Sequence, residues 1–257
     1  MKTDVMINKP KLKNIKIILV ETTHPGNIGA VARAMKNMCL DRLVLVQPKA
    51  LPDHADAIAR ASGANDLLAS AEIYDTLDEA LKGCRLVVGA SARLRNVAVP
   101  QYAPRECAGL MLDEAAQGEV ALVFGRERSG LTNAEMDRCQ YLVHIPANPD
   151  YTSLNISQAV QVLSYELYMT FLDQQDAGQV SAEQHSEDLA TADDMEGLYQ
   201  HLEQAMEDLG FSTPGQSNKL QRRMRRLFFR ARPSREELNI LRGFFSAAQG
   251  RKSMRRS

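Results

Sequence analysis

The chain has 257 residues, 44% of them hydrophobic. That suffices for one large domain, or for a domain of about 170 residues with an appendage. No apolar run approaches the ~20 residues of a membrane span, which argues against an integral membrane protein. The four cysteines, Cys39, Cys84, Cys107 and Cys139, lie far apart, with no CxxC and no nearby histidine pair. They predict neither a zinc site nor a disulfide framework, and a reduced cytoplasm suits them best. The net charge of −1 conceals an asymmetry: residues 173–208 carry 11 acids and no Lys or Arg, whereas residues 209–257 carry 13 Lys or Arg against two acids.

In chain order, the apolar run 15–20 is too short for a secretory h-region and lacks a small-residue cleavage site, so it reads as a first strand over 15–21. It runs into a turn, His24-Pro-Gly-Asn-Ile-Gly29, and a helical stripe over 27–38 formed by Ile28, Val31, Ala32 and Met35. Further buried strands are predicted at 42–47, 85–90, 120–125 and 141–146, with a short one at 73–75. Capping boxes at Thr76–Glu79 and Thr132–Glu135 start helices, and residues 155–172 form a longer amphipathic helix. Alternating strands and helices predict an α/β domain, with helices on both faces of a parallel sheet. Residues 173–194 are polar and read as an acidic, mobile linker. Helices at 195–209 and 219–231 follow, and a capping box at Ser234–Glu237 starts a last one reaching about residue 249. The expected domains are 1–172, a linker 173–194 and a basic helical extension 195–257.

Three turns follow strands and open helices: residues 24–33, 124–132 and 148–157. Polar turns at the carboxyl ends of parallel strands converge on one site. The first turn lacks the leading glycine of GxGxxG, because His24 stands there, which disfavours a nicotinamide-dependent oxidoreductase. The second, Gly125-Arg-Glu-Arg-Ser-Gly130-Leu-Thr132, has P-loop spacing but Leu131 in the lysine position. Without that cation an NTPase is rejected. Its Arg126, Glu127 and Arg128 read either as a solvated charge run or as ligand-facing groups. In the third turn, Thr152 or Ser153 is expected to cap the next helix, leaving the other free beside Asn155. The histidines lie beside no nucleophile motif, and no carboxylate pair of glycosidase type stands out.

Taken together, Asn27-x-Gly29 with Arg33 on the first helix, FGRERSGL at 124–131 and YTSLNISQA at 151–159 resemble the TrmH-type 2′-O-ribose methyltransferases of the SPOUT superfamily. The resemblance covers about residues 14–172 and continues more loosely through 218–244. Ser129 stands at a position the family varies. Membership implies a deep carboxyl-terminal trefoil knot, a rare exception to unknotted topology. It implies S-adenosylmethionine held by Ala90, Ser91, Ala92, Gly125, Ile145, Thr152, Ser153 and Leu154. It implies Arg33 as the catalytic group, either as a base or as a cation facing the developing alkoxide, with Asn27, Glu127, Ser153 and Asn155 orienting it and the ribose. It also implies a homodimer in which Arg33 of one chain faces the cofactor of the other, and no metal. Members with such a helical extension methylate the ribose of cytidine or uridine at nucleotide 32 of the tRNA anticodon loop.

Residues 219–232 are expected to grip tRNA phosphates through Lys219, Arg222, Arg223, Arg225 and Arg226, with Leu220, Met224, Leu227 and Phe228 facing a neighbouring helix. Arg93, Arg95 and Arg126 are the next candidates for phosphate contacts. The alternatives are methylation of another RNA, such as rRNA, and a non-catalytic RNA-binding module on the same fold.

Overall fold

A computed structural model of the chain describes residues 10–92, 99–177, 189–212 and 218–250. The first unit runs α1 (Pro10–Lys13), β1 (Ile15–Val20), α2 (Pro25–Asn37), β2 (Arg42–Val46), α3 (Ala55–Ala61), α4 (Asn65–Ala69), β3 (Glu72–Tyr74), α5 (Leu77–Leu81) and β4 (Leu86–Ala90). It continues through β5 (Gln101–Tyr102), α6 (Pro104–Ala115), β6 (Val120–Phe124), α7 (Asn133–Met136), β7 (Tyr141–Val143) and α8 (Ile156–Ala177). The strands form one seven-stranded sheet, ordered β3-β2-β1-β6-β4-β7-β5, and every pairing is parallel.

All six residues of β1 are buried, because helices cover both of its faces. Successive side chains alternate sides. Ile15, Ile17 and Leu19 join the core under α2, α6 and α8, while Ile18 and Val20 join the core under α5 and α7. Lys16 is buried on the same strand. Its ammonium lies 2.6 Å from Glu119, which also accepts from Arg42, so the buried charge is paired rather than orphaned.

Helix α2 starts at Pro25, two residues earlier than the apolar stripe suggests. His24 is its N-cap, with Nδ1 accepting from the Gly26 N–H at 3.1 Å, and proline at the first helical position leaves no donor unpaired. Gly29 is required by packing: a Cβ there would lie 2.0 Å from the Ala57 carbonyl oxygen of α3.

The second unit comprises α9 (Ala192–Asp208), α10 (Asn218–Ala231) and α11 (Arg235–Ala248), around a core that includes Leu198, Tyr199, Leu202, Phe228 and Phe245. Both ends of the segment expected as a linker fall in described elements. Helix α8 extends to Ala177, and Ala190 and Thr191 are buried. Thr191 and Asp194 form a capping box that starts α9. The unit docks on the α5 side of the sheet. Ala192 N–H donates to the Cys84 carbonyl at 2.7 Å, and Gly83 N–H donates to Asp193 at 2.9 Å. Asp193, expected in the linker, thus acts as a docking group.

Candidate active site and the basic helix

The second and third turns, with the residues that follow β4, surround a cavity of about 410 Å³ at the carboxyl ends of β4, β6 and β7. Its walls include all eight residues assigned by resemblance to the cofactor: Ala90, Ser91, Ala92, Gly125, Ile145, Thr152, Ser153 and Leu154. Phe124, Leu131, Met136 and Val143 add apolar surface, and Arg128 and Ser129 also line it. The rim is pinned by backbone bonds: Ser91 N–H donates to the Val143 carbonyl at 3.0 Å, and a His144 ring nitrogen lies 3.1 Å from the Ser91 carbonyl. Gly125 has no room for a side chain, since a Cβ would meet the Gly130 carbonyl carbon at 2.1 Å.

Glu127 ties the second turn to the first. Its carboxylate accepts from the Thr23 N–H at 3.1 Å, the His24 N–H at 3.3 Å and the Asn27 side-chain amide at 3.1 Å. An anion is favoured at this helix N-terminus. Burial alone would raise the Glu127 carboxyl, but its own backbone N–H, the Asn27 amide and the His24 and Thr23 N–H groups hold it below the usual range. It is therefore ionised with its lone pairs engaged. Asn155 completes the chain, donating through Nδ2 to Asn27 Oδ1 at 3.1 Å. All three turns are joined through Glu127, Asn27 and Asn155.

One expectation needs correction. Neither Thr152 nor Ser153 caps α8. Asn155 does so, its Oδ1 accepting from the Ser157 N–H at 2.9 Å, which leaves both hydroxyls on the cavity wall. Arg33 does not reach the strand ends of its own chain. Six residues beyond Asn27, it lies about 9 Å along the helix and on another face. Its guanidinium is exposed and bonds Ser62 at 3.4 Å, and Arg33 is absent from the cavity wall.

The expected RNA face of α10 divides. Arg225 forks onto both oxygens of Glu196 at 2.7 and 2.9 Å, stacks 4.3 Å over the Tyr199 ring and is only 15% exposed. Arg222 pairs with Asp137 at 2.8 Å. These two arginines dock the helix and are not free for phosphate. Arg223 is exposed and Arg226 half-buried, and neither makes an ion pair among the described residues. Arg230, not singled out from the sequence, is likewise exposed and unpaired among the described residues. Leu227 is 47% exposed between them, so the apolar stripe runs through Leu220, Met224, Phe228 and Phe229 instead. The side chain of Lys219 lies outside the described residues, as do Arg93 and Arg95. Among the described residues no helix is long and apolar enough to cross a membrane, and no cluster of metal-ligating side chains occurs.

A parallel α/β sheet with a strand-end pocket built from these turns defines a class of enzymes, and known proteins of that class match this chain. Residues 14–165 match the SpoU rRNA methylase family, and residues 193–257 match the tRNA methyltransferase TrmJ C-terminal domain. The chain belongs to the SpoU methylase family. It is 52% identical to the tRNA (cytidine/uridine-2′-O-)-methyltransferase TrmJ of Pectobacterium atrosepticum, covering 93% of this chain and 98% of that one. It is 51% identical to the tRNA (cytidine/uridine/adenosine-2′-O-)-methyltransferase TrmJ of Pseudomonas aeruginosa, covering 93% and 95%. The crystal structure of TrmJ from Z. mobilis superimposes with a TM-score of 0.77 at 31% identity, covering 90% of this chain and 97% of that one.

Proposed function

We propose that the chain is an S-adenosylmethionine-dependent tRNA methyltransferase that modifies the ribose 2′-oxygen of cytidine or uridine at nucleotide 32 of the anticodon loop. The observation that carries this reading is that the second and third turns line one cavity and are tied to the first through Glu127, Asn27 and Asn155. The cavity fits the cofactor. Its volume lies in the range of small-ligand sites, and Ile145, Leu154 and Val143 offer an apolar slot edged by backbone donors and acceptors. When bound, S-adenosylmethionine supplies an electrophilic methyl group.

The residues of the chain handle the nucleophile. A ribose hydroxyl attacks well only as its proton leaves. Glu127 is ill-suited as the base, because its low pKa and its engaged lone pairs commit it to holding α2 and Asn27. Asn27, Asn155 and the free hydroxyl of Ser153 orient the ribose. An arginine keeps its proton, so Arg33 contributes as a cation beside the developing alkoxide, and the hydroxyl proton passes to solvent water. Because Arg33 points away from the cavity of its own chain, the reading needs a homodimer in which Arg33 of the partner subunit completes the site.

The same reading gives residues 1–172 a trefoil knot, residues 173–194 the role of connector and residues 195–257 the RNA grip. The return of β7 between β4 and β5 supports a threaded carboxyl-terminal segment. Arg223, Arg226 and Arg230 supply phosphate contacts. The enzyme works in the cytoplasm, where its tRNA is. The test is nucleoside mass spectrometry of tRNA from a deletion strain. Loss of ribose methylation at nucleotide 32, restored by the intact chain, supports the reading, and unchanged tRNA refutes it.

A further inference from the structure

Arg126 lies in the second turn, yet its charge is spent inside the fold. One guanidinium nitrogen donates to both oxygens of Glu135 at 3.0 Å, and the other donates to Glu21. Glu135 also serves the capping box of α7, accepting from the Thr132 N–H at 2.7 Å. Glu21 ends β1 with a φ of +49°, a costly state for a non-glycine residue. Sheet bonding holds it there, because its N–H donates to the Val46 carbonyl at 2.8 Å. The peptide of Arg126 is fixed as well: its N–H donates to the Gly130 carbonyl at 3.2 Å and its carbonyl accepts from the Gly130 N–H at 2.8 Å. Residues 127–129 hang from this base, with Glu127 reaching across to α2.

We propose that Arg126 is a positioning residue for methyl transfer: its fork between Glu21 and Glu135 sets the base of the second turn, and so the placement of Glu127 and of the Gly125–Gly130 wall. The inference rests on the methyltransferase reading above. It also removes Arg126 from the candidates for phosphate contact, since two carboxylates flank one guanidinium that is only 23% exposed. Removing the guanidinium would leave Glu21 to Lys49 at 3.9 Å and Glu135 to the Thr132 N–H, with no cation between the two carboxylates, which would push the turn open. Lysine, a point charge, satisfies one carboxylate but not both.

The test uses the full chain as wild type, Arg126→Gln, Arg126→Lys, Glu21→Gln and the Arg126→Gln/Glu21→Gln double variant. Melting curves check that each folds. S-adenosylmethionine affinity, kcat, and tRNA affinity across a salt series are then measured. Displacing a group that orients reactants by about 1 Å costs on the order of 10²-fold. Arg126→Gln is therefore expected to lower kcat by about that factor, with tRNA affinity within about twofold of wild type and an unchanged salt slope. Arg126→Lys should fall between the two. Glu21→Gln should lower kcat in the same direction, and the double variant should lose less than the product of the single losses. Normal kcat in Arg126→Gln, multiplicative losses, or a loss of tRNA affinity of about tenfold with a shallower salt slope would overturn the proposal. A wild-type chain that transfers no methyl group would instead refute the methyltransferase reading, and this inference with it.

Discussion

In the second turn Arg126 is gripped by two carboxylates. On α10, Arg223 and Arg230 stand exposed with no ion pair among the described residues. Both regions are arginine-rich in sequence, but the neighbours decide what each arginine does. Around the cavity, acids at the ends of β1 and α7 convert charge into loop geometry. On the extension, Arg222 and Arg225 meet Asp137 and Glu196 and become docking groups. The arginines on the outer face of the same helix keep their field. A basic count therefore overstates the charge available to RNA, and the spatial partner of each arginine corrects it.

The largest expected effect breaks the cavity side of this comparison. Arg33→Ala should lower methyl transfer by about 10²–10³-fold, the usual cost of a lost transition-state donor, while S-adenosylmethionine binding stays within about twofold by calorimetry. Arg33→Lys should also fail, because a point charge does not replace the planar fork. Near-normal turnover in either variant would remove Arg33 from the site.

Next in size is Gly125→Ala. Its Cβ would fall 2.1 Å from the Gly130 carbonyl carbon, so the turn has to open. Cofactor affinity should drop by about fivefold to a hundredfold, since overpacking of this kind costs roughly 1–3 kcal/mol. Unchanged affinity would mean that the turn is not a wall of the binding site.

The extension offers a sharper contrast. Replacing Arg223, Arg226 and Arg230 by alanine should weaken tRNA binding and shallow its salt slope by about one for each phosphate left without its cation. Arg225→Ala should instead destabilise the helical unit by roughly 1–3 kcal/mol, because it leaves Glu196 with Arg138 alone and removes the stack on Tyr199. Its salt slope should match that of the wild type. If Arg225→Ala flattened the slope while the triple variant did not, the two faces of α10 would have been assigned the wrong way round.

The smallest effect concerns pH. Burial would raise the Asp193 carboxyl, but the Gly83 N–H and the Thr191 hydroxyl hold it below its ordinary value of 3.8. A depressed carboxyl contributes stability that is complete above the unfolded value and is lost as pH falls through the folded one. Docking of the extension should therefore weaken below about pH 3.8, seen as earlier protease cleavage after residue 177. Asp193→Asn should cleave earlier at neutral pH too and show less of this acid step.

Much of the sheet was legible because β1, β2, β4 and β6 are buried on both faces and read as continuous aliphatic runs. β5 was not, since two half-buried residues carry no pattern. Helices α3 and α4 were missed because alanine and glycine blur the apolar stripe, and because His54 caps α3 in place of the usual hydroxyl or carboxamide side chains. Of the eight residues assigned to the cofactor by resemblance, Gly125 and Thr152–Leu154 fall in the quoted motifs and Ala90–Ala92 and Ile145 outside them, and all eight line one cavity. The direction of Arg33 was not, because a helix face is set by what packs against it, here α3 against Gly29. The free and docked arginines of α10 were indistinguishable for the same reason: Asp137 and Glu196 lie 85 and 29 residues away along the chain.

Whether the three joined turns carry methyl transfer to a tRNA ribose is tested most directly by one measurement. The purified full chain is incubated with unmodified tRNA and S-adenosylmethionine, the product is digested, and the methyl group is mapped by mass spectrometry. The expected result is a single 2′-O-methyl group on the cytidine or uridine at nucleotide 32, and none when Asn27, Glu127 and Asn155 are all replaced by alanine. A methyl group on a base, at another nucleotide, or undiminished in that triple variant would contradict it.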